Sequence, residues 1–404
     1  MAPKALEGLK VLEYADFVTG PYCTKLLADL GASVIKIEAP GCGDTSRRRG
    51  PFPGDIPDPE RSGLFLYLNT NKLGITLDPA TPTGRKIFSA LAEWADILVE
   101  DQPPGAMEAM GLSYDSLREV NPKLIVTSIT PFGQTGPYRN YKAYCLNISH
   151  GAGAAHLTPV DEGESDRGPI KVGGFFDHCS NALSAATATL FAFYRRKMSG
   201  GDGQHIDISE QEASIAYDRV ELGMFTTENF IVRRIHPGTG AALVPCRDGY
   251  IIFTALGNPR HWEALMAMMG NPEWAKDERF SHEGSRFEHA REVNDFLSRW
   301  TMNQSKEELY HRLAQADIPV GVVRSQSDLI ENDAQLKARG FFTSIDHPVA
   351  GTLTYPSAAY RFSETPWRLE HPAPTLGQHN DEVYSGILGY SREQQVKLRQ
   401  MGII

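Results

Sequence analysis

Short apolar runs rich in β-branched residues alternate with amphipathic stretches through the first third of the chain. Val11-Leu12-Glu13-Tyr14 reads as a strand, a helical pattern follows from about Gly20 to Leu30, and Val34-Ile35-Lys36-Ile37-Glu38 reads as a second strand. The alternation continues with Gly74-Ile75-Thr76-Leu77, a helix around Arg85 to Trp94, Asp96-Ile97-Leu98-Val99, a helix near Tyr114 to Val120, and Leu124-Ile125-Val126-Thr127-Ser128-Ile129. Strands separated by helices predict an α/β fold with a doubly wound, largely parallel sheet.

Further on, Asn181 to Lys197 predicts a helix rich in Ala, Ser and Thr that ends in Arg195-Arg196-Lys197 and stops at Gly200-Gly201. The pattern changes at the turn-rich His236-Pro237-Gly238-Thr239-Gly240. Tyr250-Ile251-Ile252-Phe253 then predicts a strand, with helices near His261 to Met269, Glu288 to Trp300 and Lys306 to Ala316. This predicts residues 1–222 as the N-terminal part of a large α/β domain, 223–340 as a smaller α+β domain with its linkers, and 341–404 as a return to the large domain. A final helix is expected near Ser391 to Met401.

A length of 404 residues with 41% hydrophobic content supplies ample core for two domains. The net charge of −10 gives no global attraction for nucleic acid or for anionic lipid surfaces. Cys23, Cys42, Cys145, Cys179 and Cys246 are odd in number and irregularly spaced, so they form no disulfide framework and point to a reducing compartment. The first residues contain no apolar signal core, and no stretch approaches the roughly 20 apolar residues that span a bilayer. A cytoplasmic protein is expected.

Three places carry candidate chemistry. Gly20-Pro21 opens the first helix, where free backbone N–H groups suit a phosphate, although Asp16 to Gly20 lacks the three glycines of a dinucleotide fingerprint. Gly41-Cys42-Gly43-Asp44 with Arg47-Arg48-Arg49 reads either as a phosphate contact or as a solvated basic loop. Asp177, in Gly173-Gly174-Phe175-Phe176-Asp177-His178, precedes the small-residue helix and is either an ordinary N-cap or a carboxylate kept ionised by the helix dipole for nucleophilic attack. His150, His178 and Cys179 lack metal-ligand spacing, so neither a metal site nor a cysteine hydrolase is expected.

Read in order, several segments resemble the class III CoA-transferases, the family of formyl-CoA:oxalate and carnitine CoA-transferases that also includes α-methylacyl-CoA racemases. They include Gly20-Pro21-Tyr22-Cys23-Thr24, Leu30-Gly31-Ala32-Ser33-Val34-Ile35-Lys36-Ile37-Glu38, Asn71-Lys72, Met110-Gly111-Leu112, Asn121-Pro122-Lys123-Leu124-Ile125, Gly133-Gln134-Thr135-Gly136-Pro137, Gly203-Gln204 and Leu376-Gly377-Gln378-His379. The resemblance spans essentially the whole chain. It implies an interlocked dimer, CoA and acyl-CoA as substrates with no tightly bound cofactor, and Asp177 as the nucleophile that forms an aspartyl anhydride and then an aspartyl-CoA thioester with a carboxylic acid acceptor. Tyr144 and Cys145 stand where the racemases carry His and Asp, which disfavours a racemase-type base.

On the same resemblance Gly20, Arg47, Arg48, Arg49, Asn71, Lys72, Asp101, Gln102 and Lys142 are the expected CoA contacts. Phe17, Val18, Tyr144, Phe175 and Phe176 are expected to wall the substrate cleft, and their apolar character points to a bulky or aromatic acceptor. Backbone N–H groups of Gly173-Gly174 or Gly20 are candidate oxyanion donors. The family's Val-Glu-Asn-Phe-x-Pro-Gly and following arginine appear here as Val99-Glu100-Asp101-Gln102-Pro103-Pro104-Gly105 and Ala109, a more negative CoA pocket. Val18 replaces a glutamine of the formyl-CoA branch, and Gly238-Thr239-Gly240 is the one candidate for that branch's glycine lid, so neither formate nor oxalate is the expected substrate. Two other readings remain: a subunit of a heteromeric transferase whose related chain supplies an intact CoA pocket, and a CoA-thioester isomerase or racemase with a different base.

Overall fold

In the first third of the computed structural model the elements run β1 (Lys10–Tyr14), α1 (Thr19–Ala28), β2 (Ser33–Glu38), α2 (Gly63–Leu68), β3 (Lys72–Thr76), α3 (Pro82–Trp94), β4 (Ile97–Glu100), α4 (Ala106–Ala109), α5 (Tyr114–Val120) and β5 (Ile125–Thr130). α6 (Cys145–Gly151), α7 (Phe176–Ser199), β6 (His205–Ser209) and α8 (Glu210–Ile215) follow. The described residues are 3–158, 168–217, 219–232 and 241–404, so the His236–Gly240 turn and its candidate lid lie outside them. Two units are present, one of residues 1–155, 171–220 and 337–404 and one of residues 156–170 and 221–336.

The six strands of the first unit pair in the order β3-β2-β1-β4-β5-β6, every pair parallel. Such a sheet is covered on both sides, which explains why β4 and β5 are buried along their whole length. Alternate residues serve alternate faces. Val11, Val34, Ile97, Val99 and Ile125 pack with Cys23 and Leu27 of α1 and with Ala182, Ala185 and Ala186 of α7. Leu12, Ile35, Leu98 and Val126 pack on the other side with Ile87, Phe88 and Leu91 of α3 and with Tyr384, Leu398 and Ile403 from the chain's end. The small residues of α7 thus allow the close approach to the sheet that its composition implied.

The C-terminal return also seals the exposed edge at β3. Gly74 N–H donates to His379 Nδ1 at 3.0 Å, Thr76 N–H to Asn380 Oδ1 at 2.9 Å, and Tyr384 Oη–H to the Thr76 carbonyl at 2.7 Å. These contacts give Leu376-Gly377-Gln378-His379 a structural task. Within this return lie a hairpin of β10 (Phe342–His347) and β11 (Gly351–Pro356) and the closing helix α15 (Arg392–Gln400), capped by Ser391.

α9 (Arg219–Glu228) leads towards the second unit, where β7 (Ala241–Cys246), β8 (Gly249–Thr254) and β9 (Val320–Val322) form an antiparallel sheet. α10 (Pro259–Met268), α11 (Glu283–Glu288), α12 (Ala290–Thr301) and α13 (Lys306–Gln315) belong to the same unit, with α14 (Ala334–Arg339) at its end. Its own core joins Ile251, Phe253, Trp262, Leu265, Phe280, Leu297 and Leu309.

Candidate active site

The chain leaves β1, runs outward to β2 and β3, and returns to β4 on the other side of β1. In open α/β sheets this reversal leaves a crevice beyond the carboxyl ends of the two central strands. Here the crevice is bounded by the β1–α1 loop and by Asp101, just after β4. The loop turns at Phe17, whose φ of +67° is rare for a bulky side chain. Asp16 N–H donates to both Asp101 oxygens at 3.0 and 2.9 Å, Phe17 N–H to Asp44 Oδ1 at 3.1 Å, and Thr45 N–H to Asp16 Oδ1 at 2.6 Å. A Cβ on Gly20 would meet Ala15 Cβ at 2.2 Å, so glycine lets α1 begin against this loop. Gly20 therefore has a packing role at a helix start that could also serve a ligand.

The expectation of a more negative pocket at Asp101 needs correction. Burial pushes the Asp101 carboxyl well above the usual carboxylate range, outweighing the Asp16 hydrogen bond, with the Asp16 and Glu100 charges adding to the rise. Asp16 is pushed up as well, by burial first and then by Asp44. The acid at position 101 is thereby biased towards its neutral form and clamps the β1–α1 loop.

A second correction concerns α7. It begins at Phe176, with Phe175 at the N-cap, so Asp177 does not precede the helix and caps no backbone group. The helix extends further towards its N-terminus than the small-residue pattern because His178 and Asn181 are already buried on its inner face and no Gly or Pro interrupts the chain after Gly174. Asp177 lies in the first turn, where the helix dipole favours negative charge, and is 8% exposed. The Cys145 thiol donates to Asp177 Oδ2 at 3.4 Å. Burial and then the Asp177 charge push this thiol up to about 11, so it keeps its proton at neutral pH.

Beside Asp177, His178 Nδ1 lies 2.8 Å from Thr19 Oγ1 and 2.9 Å from Glu210 Oε1. The Thr19 hydroxyl donates to Glu210, which leaves His178 Nδ1 to carry its proton towards both oxygens. Burial pushes the Glu210 carboxyl up, but the His178 and Thr19 hydrogen bonds more than offset this and leave it below its ordinary range. Phe17, Phe175 and His178 form a mutually packed ring cluster, with Phe17 and Phe175 centroids 5.3 Å apart.

These groups surround a cleft of about 200 Å3 lined by Phe17, Val18, Thr19, Asp101, Ile129, Tyr144, His178 and Glu210, among others. Asp177 is next in sequence to His178, which lines the cleft, and is hydrogen-bonded to the residue that follows Tyr144. Of the expected wall residues, Phe17, Val18 and Tyr144 line the cleft, Phe175 packs on Phe17, and Phe176 projects from α7 as an exposed side chain. Thr19, Cys145 and Glu210 were not expected as site residues. Cys145 had a signal in its place after Tyr144, whereas Thr19 and Glu210 meet only through the fold.

The expected CoA contacts separate sharply. Arg47 is fully buried, with Nε and Nη2 on Glu38 at 2.6 and 2.8 Å, Nη1 on Glu60 at 2.7 Å and Nη2 also on the Pro374 carbonyl at 3.0 Å. Lys72 is buried against Glu13, the Pro21 carbonyl and Asn69, each at 2.8 Å. Asn71 ties Asp29 to the backbone of Arg368, Glu370 and His371. The assignment of these three to CoA is corrected, since their polar atoms are committed inside the fold. Arg48, Arg49 and Lys142 are exposed, and Arg49 Cζ stands 6.0 Å from the Phe17 ring centroid. Gln102 lines a separate cavity of about 310 Å3 with Glu100, Ser128 and His205. Burial pushes the Glu100 carboxyl up to about 7.

The comparisons with known proteins agree with one another. A profile of CoA-transferase family III matches residues 6–380. The chain is 31% identical to a formyl-CoA:oxalate CoA-transferase of Rhodopseudomonas palustris, with 99% of this chain and 97% of that protein covered. It is also 31% identical to a succinyl-CoA–D-citramalate CoA-transferase of Chloroflexus aurantiacus, over 100% and 98% of the two chains. A crystal structure of a CAIB/BAIF family protein from Brucella suis superposes with a TM-score of 0.84 at 31% identity, covering 95% of this chain and 99% of that one. Together with the parallel sheet and its central crevice, the match over nearly the whole length identifies the chain as a member of CoA-transferase family III.

Proposed function

We propose that this CoA-transferase moves CoA from an acyl-CoA to a carboxylic acid through covalent intermediates on Asp177. The observation that carries the reading is the Asp177 carboxylate, buried in the first turn of a 24-residue helix next in sequence to His178, which lines the cleft at the sheet's switch point. There the helix dipole favours negative charge while burial leaves the carboxylate poorly hydrated, the condition in which a carboxylate attacks a thioester.

In the first step an Asp177 oxygen bonds to the acyl carbon, the carbon–sulfur bond breaks, and CoA leaves as thiolate. The thiolate then attacks Asp177 Cγ, expelling the donor's carboxylate and leaving an aspartyl-CoA thioester. An acceptor carboxylate repeats the two steps in reverse. No proton changes hands, and exclusion of water protects the anhydride from hydrolysis.

The named relatives act with different acids, so the acceptor must be read from this cleft. Phe17, Val18, Ile129 and Tyr144 favour a bulky or aromatic acid. Arg48, Arg49 and Lys142 remain as cations for the CoA phosphates, and Gln102 as a polar contact.

A specific observation favours assembly with a second copy or a related chain. Phe176, Leu183, Phe191, Tyr194 and Met198 are all exposed at helical spacing along α7, an apolar stripe that starts beside Asp177. Sedimentation of the purified chain tests this, and a monomer at micromolar concentration would rule out the second copy and leave the related chain.

The covalent route is tested by mass spectrometry after incubation with formyl-CoA or succinyl-CoA and oxalate, D-citramalate or phenylacetate. A donor-dependent mass on the Asp177 peptide, converted to the alcohol by borohydride, is expected. Measurable transfer without such a mass overturns the route.

A further inference from the structure

One nitrogen of His178 has no use in the transfer steps. Thr19 opens α1, Glu210 opens α8 and His178 is the third residue of α7, so three helix starts meet at this imidazole. Thr19 and Glu210 are buried with it, and His178 is 6% exposed. Glu210 Oε1 accepts from both the Thr19 hydroxyl and His178 Nδ1, so Nδ1 carries a proton and the neutral ring presents a lone pair at Nε2. Nε2 is buried and meets no hydrogen-bond partner among the described residues, on a ring that lines the cleft together with Thr19 and Glu210.

A buried acceptor left without a donor is destabilising, and buried polar groups are seldom left so. Here the ring is fixed through two partners at Nδ1 while Nε2 stays unmatched until an occupant of the cleft supplies a donor. A carboxylate and an imidazole joined in this way also lack only the nucleophile of a hydrolytic triad, yet no hydroxyl or thiol among the described residues reaches Nε2. The carboxylates and thiolate that react carry no proton to give, so the donor is a further group on a substrate.

We propose that His178 Nε2 accepts a hydrogen bond from a hydroxyl on the acceptor acid, so that this transferase selects hydroxy acids over their deoxy counterparts. The inference rests on Asp177 being the acyl acceptor, which sets where the acid's carboxylate sits. His178 follows Asp177 directly, with Cα atoms about 3.8 Å apart, so the hydroxyl belongs on a carbon close to the carboxyl, as in a 2- or 3-hydroxy acid. Its proton stays on the substrate's oxygen throughout. Thr19 and Glu210 are positioning residues that hold the tautomer, and Phe17, packed on the imidazole, joins Val18 and Ile129 around the acid's apolar remainder.

The test compares acids that differ by one hydroxyl, each with succinyl-CoA as donor and the intact enzyme: mandelate with phenylacetate, citramalate with methylsuccinate, and 3-hydroxybutyrate with butyrate, using both hands of each chiral acid. In wild type, kcat/KM for the acceptor should favour the hydroxy member of at least one pair roughly tenfold to a hundredfold, because the deoxy acid leaves the buried acceptor unpaired. His178→Phe keeps a ring against Phe17 and Phe175 but no acceptor, and should bring that ratio to about one. Glu210→Gln, whose amide N–H can donate to Nδ1 and move the ring proton to Nε2, should lower the ratio as well and carries the comparison where the phenylalanine variant does not fold. His178→Gln, with an amide oxygen as acceptor, should restore part of it.

A wild-type ratio near one in every pair overturns the inference, as does transfer to none of the hydroxy acids. Selectivity that survives both His178→Phe and Glu210→Gln overturns it and moves recognition of the hydroxyl elsewhere. Equal losses with hydroxy and deoxy acids also overturn it, since a contact to CoA or a packing role would produce them. The Asp177 peptide from the same incubations separates the two readings: a donor-dependent mass with a flat ratio sinks this inference alone, whereas transfer without that mass sinks the covalent route.

Discussion

Around Arg47, Lys36 and Lys72 every cation has its counter-ion, whereas around Asp177 the carboxylate has a single thiol donor. In the first region Lys36 meets Glu13 and Asp44 at 2.7 Å each, Lys72 meets Glu13 at 2.8 Å, and Arg47 grips Glu38 and Glu60. Burial alone would lower Lys36, but Asp44 and Glu13 raise it instead, while Lys72, less well compensated, falls to about 8. Charges so completely paired hold the β1–α1 and β2–α2 connections in register and offer little to a ligand. Asp177 is treated oppositely: it is buried in the first turn of α7, where the dipole favours negative charge, and meets no cation among the described residues. Burial of charge thus has two meanings within one unit, and the partners decide which applies.

The sharpest break between the regions is Asp177→Ala. Transfer should fall roughly a thousandfold or more, because the covalent route disappears, while stability changes by about 1 kcal/mol, because no cap hydrogen bond is lost. A folded variant with wild-type turnover would remove Asp177 from the mechanism.

Arg47→Ala should do the reverse. Removing one partner strands Glu38 in a buried site, and stability should fall by about 3–5 kcal/mol. Arg48→Ala, on the exposed side of the same loop, should stay within about 0.5 kcal/mol. Denaturant melts of the two variants check this, and an Arg47→Ala protein as stable as wild type would mean that the ion network is not holding the loop.

The parallel sheet was legible because its strands are continuous apolar runs, and Tyr114–Val120 was legible to the residue because polar ends bound a short amphipathic turn. The start of α7 was not, because Phe175 to Ser180 carries no helix signal and only burial of His178 and Asn181 places it in the helix. Basic residues near strand ends read alike in sequence whether they meet phosphates or carboxylates. What separates Arg47 from Arg48 is Glu38 and Glu60, brought to it by the fold. The Thr19–His178–Glu210 contact joins residues 159 and 32 positions apart, beyond any local pattern.

A third carboxylate extends the comparison, since Glu100 is buried with no counter-ion among the described residues. Its folded value of about 7 lies above its ordinary 4.5, so between those values the folded chain binds a proton that the unfolded chain has lost. Stability therefore falls as pH rises through this window, by about 3 kcal/mol in all. Glu100→Gln keeps an acceptor for the Gln102 N–H but cannot ionise. Its advantage over wild type should be small at pH 4.5 and grow to about 3 kcal/mol above pH 7, as read by urea melts at several pH values. An advantage independent of pH would mean that Glu100 is not held neutral.

The smallest effect belongs to the cations left free. Arg48 and Arg49 stand in solvent at the end of the paired network, with Arg49 reaching over Phe17 at the cleft. Exposed charge pairs contribute about 0.2–1 kcal/mol each, so replacing both with alanine should raise KM for the acyl-CoA roughly threefold to tenfold. Neither touches the reacting atoms, so kcat should hold. The contacts are unshielded by protein, so the effect should shrink as salt rises from about 0.01 M, where charges act over roughly 30 Å, to about 1 M, where they act over roughly 3 Å. A KM change that persists in high salt would point to geometry-specific bonds buried when CoA binds. Unchanged KM at low salt would take both arginines out of CoA recognition and leave Lys142 as the exposed cation to test.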